Sequence, residues 1–381
     1  MKVASLAIYD FRGIQKLELN LTEPVTCFVG VNGAGKSAVL DALAIGLSQL
    51  TARISGQPQK ARPIALDDIR REASFARIEI TVELRGTNVT WAIVKNRKKG
   101  GYSHSRRKSS LEALNHAVTQ LNQEWEHVES GRQEPYCLPL AVYYDVNRAV
   151  LDIPVRVRES LANNPYEIYR DALDHGGADF KRFFIWFRNR EDHENEQRLD
   201  SPSYRDPALE AVRQAITTFT GFRDPRIRRK PLRMTVIKDA LEFNVAQLSD
   251  GERNMLAMVG DLARRFSVLN TGLPNPDEGK GVALIDEIDL HLHPRWQREV
   301  VAKLQTTFPN CQFILTTHSP QVIGELAPES VMLLSQGCLL GHAEHALGLN
   351  SGEVLEQLME VSAMNQPAKD AIESIQTLLD A

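Results

Sequence analysis

Val25-Thr-Cys-Phe-Val29 runs without a break into Gly30-Val-Asn-Gly-Ala-Gly35-Lys36-Ser37, and then into a segment whose apolar residues Val39, Leu40, Leu43, Leu47 and Leu50 recur at helical spacing. A continuously apolar run of five reads as a strand buried on both faces. Strand, glycine-rich turn and helix form the context in which successive backbone N–H groups can point at phosphate oxygens. Lys36 adds a point charge for the β- and γ-phosphates, and Ser37 offers a hydroxyl to Mg²⁺. The spacing G-x-x-x-x-G-K-S is complete.

A site of this kind needs an acidic element at the end of a neighbouring strand. Val282-Ala-Leu-Ile-Asp286-Glu287 supplies it, with Asp286 toward the metal and Glu287 toward the attacking water. Leu248-Ser-Asp-Gly-Glu252 reads as a capping box, Ser249 being the N-cap and Glu252 the third residue on. A capped helix start with an open Gly251 N–H is itself a place for an anion. Thr316-Thr-His318-Ser-Pro320 closes the strand QFILTT, so His318 is a candidate γ-phosphate sensor. Its neighbour Ser319 does not make a Ser-His dyad, because adjacent residues at a strand end point apart. His291 and His293 lack the spacing of a helical metal pair.

Working outward, VASLAIYDF and FRGIQKLELNL read as a hairpin, and the stretch 77–94 as a second one around Gly86-Thr87-Asn88. LPLAVYYD (138–145) is another buried-type strand. The interval 159–222 carries Phe180, Phe183, Phe184, Trp186 and Phe187 at helical spacing, interrupted by the charged run EDHENEQRLDSPSYRDP. The order then returns to α/β: two short strands over 232–243, a helix from LSDGE, the strand VALID, a helix from Pro294, the strands QFILTT and VMLL, and two short amphipathic helices to end. The expected division is 1–95 and 231–340 as the halves of one head, 96–230 as a partly helical insertion, and 341–381 as C-terminal helices.

The chain has 381 residues, 45 basic and 49 acidic, for a net charge of -4, so attraction to nucleic acid requires a local patch. Two stretches qualify: Lys95, Arg97, Lys98, Lys99, Arg106, Arg107 and Lys108, and the cluster Arg223, Arg226, Arg228, Arg229, Lys230 and Arg233. No apolar run approaches the ~18 residues of a membrane helix, and Asp10 and Arg12 come too early for a signal peptide. Cys27, Cys137, Cys311 and Cys338 stand far apart among apolar neighbours, which predicts buried reduced thiols and a cytoplasmic protein.

Taken in order, FRGI, VGVNGAGKS, LSDGER, LIDEIDLHLHP and TTHSP resemble the ABC-type ATPase heads of the RecF, SMC and OLD-like group. The resemblance implies an α/β P-loop NTPase head with an antiparallel β subdomain and a helical insertion, binding ATP and Mg²⁺. It implies that Gly30, Asn32, Gly33, Ala34, Gly35, Lys36, Ser37 and Ala38 form Walker A, with Ser37 and Asp286 at the metal. Glu287, Lys36 and His318 are then catalytic; Ser249, Gly251 and Glu252 belong to the signature motif, and Asp289 to the D-loop. Arg12 matches an arginine that reaches the nucleotide in such heads. The pattern departs at one point: no Q-loop glutamine can be placed, and Asp67-Asp68-Ile69-Arg70 stands where it would fall.

The same resemblance implies a homodimer, or a higher even-numbered assembly, in which Ser249 and Gly251 of one copy meet ATP held at Walker A of the other. With 63 residues after His318, a C-terminal nuclease domain of the OLD type is not expected. Sustained heptads of the SMC arm are also missing. What remains is similar to the stand-alone ATPases of bacterial anti-phage systems, the Septu type and those encoded beside retron reverse transcriptases. That similarity implies a separate effector such as an HNH nuclease, and admits a reverse transcriptase with its non-coding RNA and DNA as a partner. The alternative is a RecF-like repair ATPase that binds DNA through the basic stretches.

Overall fold

The computed structural model describes residues 1–97, 108–129, 137–146, 165–174 and 180–343. Most of the first basic stretch (98–107), further parts of the expected 96–230 insertion (130–136, 147–164 and 175–179) and nearly all of the segment expected to form C-terminal helices (344–381) lie outside the described residues.

Two sheets enclose one helix. β1 (Lys2–Phe11), β2 (Ile14–Asn20), β4 (Phe75–Leu84) and β5 (Thr87–Asn96) form an antiparallel sheet in the order β2-β1-β4-β5. The second sheet has the order β13-β12-β3-β11-β10-β6. Its strands are β3 (Val25–Val29), β6 (Leu140–Tyr144), β10 (Gly281–Ile285), β11 (Cys311–Thr316), β12 (Val331–Ser335) and β13 (Cys338–His342). Every pairing in it is parallel except that of β12 with β13. β3, β6, β10 and β11 are buried along their whole length, as continuous apolar runs predict for strands covered on both faces.

α1 (Lys36–Ile54) lies between the sheets, and all but two of its residues are buried. Its apolar periodicity therefore understates its environment, since a helix enclosed on all sides has no polar face. Gly46 lets it approach β4, where an added Cβ would stand 3.2 Å from Ile80, and the Trp91 indole N–H donates to the Gly46 carbonyl at 3.1 Å. Gln312 of β11 ties the sheets together: its amide oxygen accepts from Val3 N–H (2.7 Å), and its nitrogen donates to the Leu21 carbonyl (2.6 Å).

α2 (Glu112–Glu129) packs against β5 and α1. α3 (Phe180–Asp200) buries Phe180, Phe183, Phe184 and Phe187, with Phe183 seated on Gly260 of α5 (Asp250–Leu269). The charged run interrupts the helical region later than its first residue: α3 continues into it as far as Asp200, and the break falls at 201–206. Buried Glu194 accepts from Arg198 and Arg213, and Glu191 from Arg229 and Arg213, so cations from α4 (Pro207–Thr220) and β7 (Arg223–Arg229) neutralise that helix face. β7, β8 (Leu232–Lys238) and β9 (Leu241–Asn244) form a third, antiparallel sheet. The remaining helices are α6 (Pro294–Thr307) and the short α7 (Pro320–Ile323).

Two expectations are corrected. Cys27 and Cys311 are buried free thiols, but Cys137 and Cys338 are exposed, Cys338 because β13 is an edge strand with little cover. β13 itself had no place in the reading of the chain.

α5 carries an ion-pair group at its centre. Asp261, fully buried, meets Arg264 (2.6 Å), Arg265 (2.7 Å) and the Tyr144 hydroxyl (3.1 Å). Burial alone would raise its carboxyl, but Arg265 and Arg264 outweigh that and hold it below the ordinary range. Replacing Asp261 with Ala strands two buried guanidinium groups, so unfolding in denaturant is expected to show a loss of about 3–5 kcal/mol. The depressed carboxyl also makes this stabilisation present at neutral pH and lost as pH falls through its folded-state value.

Candidate nucleotide site

The parallel strands bring their C-terminal ends to one edge, and the candidate residues follow from that register. Ile285 of β10 lies opposite Leu315 and Tyr144, so Asp286, Thr316 and Asp145 come next to each other just beyond the last pairs. Thr316 pairs with Phe28, which sets Gly30 alongside His318. Gly33 (φ 82°) and Gly35 (φ 106°) take left-handed conformations that other residues adopt only under strain. At Gly30 an added Cβ would lie 2.2 Å from the Leu334 carbonyl oxygen. The β12–β13 hairpin thus backs the glycine loop, and Gly337 N–H donates to the Ala34 carbonyl at 3.0 Å.

Lys36 is buried and folds back over the loop, donating to the Gly30 (2.7 Å) and Val31 (3.1 Å) carbonyls. Burial lowers its ammonium below the ordinary value, against the pull of Asp286, Glu287 and Asp289. The His318 backbone N–H donates to Asp289 Oδ1 at 3.4 Å, and the register of β3, β11 and β10 brings the ends that carry Lys36, His318 and the acidic turn 286–289 to the same edge of the sheet. Burial first, and Lys36 next, hold the imidazole below its ordinary 6.5. The ring is then neutral at neutral pH. An acid-side loss of kcat/KM for ATP, which reports the free enzyme, is expected to be centred below the range of an ordinary imidazole; a loss centred at or above that range speaks against a role for the ring.

Asp286 and Glu287 are held from the neighbouring strand. The Thr316 hydroxyl donates to Asp286 Oδ1 (2.5 Å) and accepts from Glu287 N–H (2.7 Å). Thr317 donates to Asp289 Oδ1 at 2.5 Å. Ser319 caps α7 and donates to Gln297, while His293 accepts from Arg295 N–H at the start of α6.

Arg12 sits at the β1–β2 turn, bonded to Asp41 of α1 and to Asp68 (2.9 Å). Asp41, buried, also takes Arg62 at 2.6 Å. A phosphate would have to compete with two carboxylates for the Arg12 guanidinium. Asp68, in the place of the absent glutamine, joins the 65–70 loop to Arg12, and the Arg12 N–H donates to the Asp68 carbonyl at 2.6 Å. Asp41 and Arg62 carry no sequence signal of their own, and the readings of the TTHSP motif and of the 67–70 stretch give Thr316 and Asp68 no role. Asp145 does carry one: an apolar run ending in an acid, as in VALID. Burial, and then the charges of Asp41, Asp286 and Asp145, push the Tyr143 hydroxyl up.

Ser249, Gly251 and Glu252 stand at the start of α5. Ser249 and Glu252 make a complete capping box, and Glu252 also takes Lys238 at 2.6 Å. Gly251 lies against the turn after Asp289, where an added Cβ would be 2.4 Å from the His291 carbonyl oxygen. Among the described residues no hydrogen bond or ion pair joins Ser249, Gly251 or Glu252 to Lys36. Of the second basic cluster, Arg226 pairs with Asp224, Arg228 with Glu242 (2.7 Å) and Arg229 with Glu191 (2.9 Å), which spends much of its charge within the chain.

A parallel sheet with a glycine loop on its central strand, flanked by an antiparallel sheet across one helix, defines the head of an ABC-type ATPase. The chain belongs to the family described as "AAA domain, putative AbiEii toxin, Type IV TA system", which matches residues 25–324. It is 30% identical to the "Retron Ec83 probable ATPase" of Escherichia coli, over 97% of this chain and 78% of that one. It is 26% identical to the Septu protein PtuA of Bacillus mycoides, over 87% of this chain and 40% of that one. Among solved structures the Smc head domain derived from Pyrococcus furiosus matches with a TM-score of 0.50, at 15% identity, over 89% of this chain and 95% of that chain. Among the described residues no helix is long and apolar enough to cross a membrane.

Proposed function

We propose that the protein is an Mg-ATP-dependent ATPase that works as a dimeric switch on a separate effector in bacterial anti-phage defence. The observation that carries this reading is the strand register that brings the ends carrying Lys36, Asp286, Glu287, Asp289 and His318 to one edge of the parallel sheet.

The glycine loop would cradle the β- and γ-phosphates through its N–H groups, and Lys36 would exchange its bonds to the Gly30 and Val31 carbonyls for phosphate oxygens. The metal donors fit Mg²⁺: the Ser37 hydroxyl and Asp286 carboxylate are hard oxygen ligands, few in number, which leaves room for waters and phosphate. Bound there, Mg²⁺ supplies charge neutralisation on the transferring phosphoryl group. Glu287 orients the water and takes its proton; neutral His318 donates its ring N–H to a γ-phosphate oxygen. Ser249 and Gly251, with the N-terminal end of the α5 dipole, complete the site of a second copy by two-fold symmetry. Loss of the γ-phosphate removes that bridge, and the pair opens.

The retron and Septu relatives support a place in defence and a protein partner for the switch. The RecF-like alternative depends on the basic stretches, and in the one at β7 Arg226, Arg228 and Arg229 are ion-paired within the chain. The test is to purify the tagged chain expressed with its native neighbouring genes and to measure ATP turnover against protein concentration. Recovery of a nuclease or reverse transcriptase in fixed proportion, with specific activity rising with concentration, is the expected result. Recovery with DNA and replication proteins instead, or activity independent of concentration, would overturn the switch reading.

A further inference from the structure

Thr316 ends β11 with its side chain fully buried, and three consecutive residues of the neighbouring turn depend on it. Its hydroxyl proton goes to Asp286 Oδ1 (2.5 Å), its hydroxyl oxygen accepts the Glu287 N–H (2.7 Å), and its carbonyl accepts the Ile288 N–H (3.0 Å). The middle of the three, Glu287, has φ 47°, a left-handed conformation disfavoured for a side chain of its kind. The backbone adopts it here because the reversal turns the Glu287 N–H onto the threonine oxygen. A single hydroxyl, used once as donor and once as acceptor, thereby sets both the orientation of one carboxylate and the backbone beneath the next.

We propose that Thr316 is a positioning residue for hydrolysis, which presents Asp286 toward the metal and holds Glu287 in its strained conformation. The inference rests on the reading of Asp286 and Glu287 given above. By donating to Oδ1, the hydroxyl fixes the orientation of the Asp286 carboxylate. Serine preserves both bonds; valine keeps the shape and loses both. Thr317, which donates to Asp289, extends the same device by one residue, so the strand that carries His318 grips the acidic turn twice.

The experiment compares wild type, Thr316→Val, Thr316→Ser and Glu287→Gln in the full chain. Steady-state turnover gives kcat and KM, nucleotide affinity is taken in EDTA, and amide hydrogen exchange is followed across 284–290 without nucleotide. Thr316→Val is expected to lower kcat by about 10–100-fold, to leave affinity in EDTA within about twofold, and to speed exchange across 284–290, since the Glu287 N–H loses its acceptor. Thr316→Ser is expected to restore both the rate and the slow exchange. Should the valine variant not fold, Thr316→Ala, which only removes atoms, repeats the comparison. Wild-type kcat with unchanged exchange in the variant lacking the hydroxyl overturns the proposal. Wild-type turnover by Glu287→Gln removes the reading of Glu287 itself, and the inference with it, a result that the threonine variants alone do not give.

Discussion

Glu287→Gln is expected to bind ATP and to lose turnover by about 10²–10⁴-fold, the usual contribution of a positioned general base. The amide has nearly the shape of the carboxylate and leaves the Glu287 N–H bond to Thr316 in place, so the backbone at 286–288 should not move. Lys36 and the glycine loop, which are independent of it, continue to hold the triphosphate. Binding survives, chemistry stops, and the γ-phosphate bridge between copies persists. Size-exclusion chromatography with ATP should therefore show a larger species for the variant than for wild type, whose bridge is lost at each turnover. Single-turnover hydrolysis at the wild-type rate would show that another group takes the proton.

The second large effect concerns completion of the site by a second copy. Lys36→Ala removes the charge facing the phosphates, and Ser249→Arg blocks the capped helix start that would face the partner's nucleotide. Each variant alone is expected to be inactive. Mixed in equal amounts, half of the dimers contain one of each, and in those one of the two composite sites is intact, so activity should return to about a quarter of wild type. No return on mixing means that each chain carries its whole site. Ser249→Arg also costs a helix cap, about 1 kcal/mol, and Ser249→Asp, a good cap, separates that loss from the effect at the interface.

How much of this was legible beforehand differs between particular residues. The glycine loop was readable because its requirements are local: positive φ at Gly33 and Gly35, a buried strand before, a helix after. The capping box at Ser249 and Glu252 was equally local and is complete. The charged run 191–207 does break the helical region, but only at 201–206, because charge density along a helix says nothing about who neutralises it. Arg213 and Arg229 come from elements that follow the run, and only packing brings them to Glu191 and Glu194. The exposed Cys137 and Cys338 were misjudged for the same kind of reason: apolar neighbours in sequence do not guarantee cover in space.

The order of motifs, the phosphate loop, the acidic pair and the family all came from residues within a few positions of one another, where backbone conformation and short-range hydrogen bonds decide. The tertiary structure alone decided which groups stand behind them. Thr316 meets Asp286 across 30 residues, Arg12 meets Asp41 across 29 and Asp68 across 56, and Asp145 reaches Asp286 only through the pairing of β6 with β10. Such meetings follow from strand register and from the cost of burying a charge without a counter-charge. Both are properties of the assembled sheets, because neither acts until distant segments of the chain have been brought together.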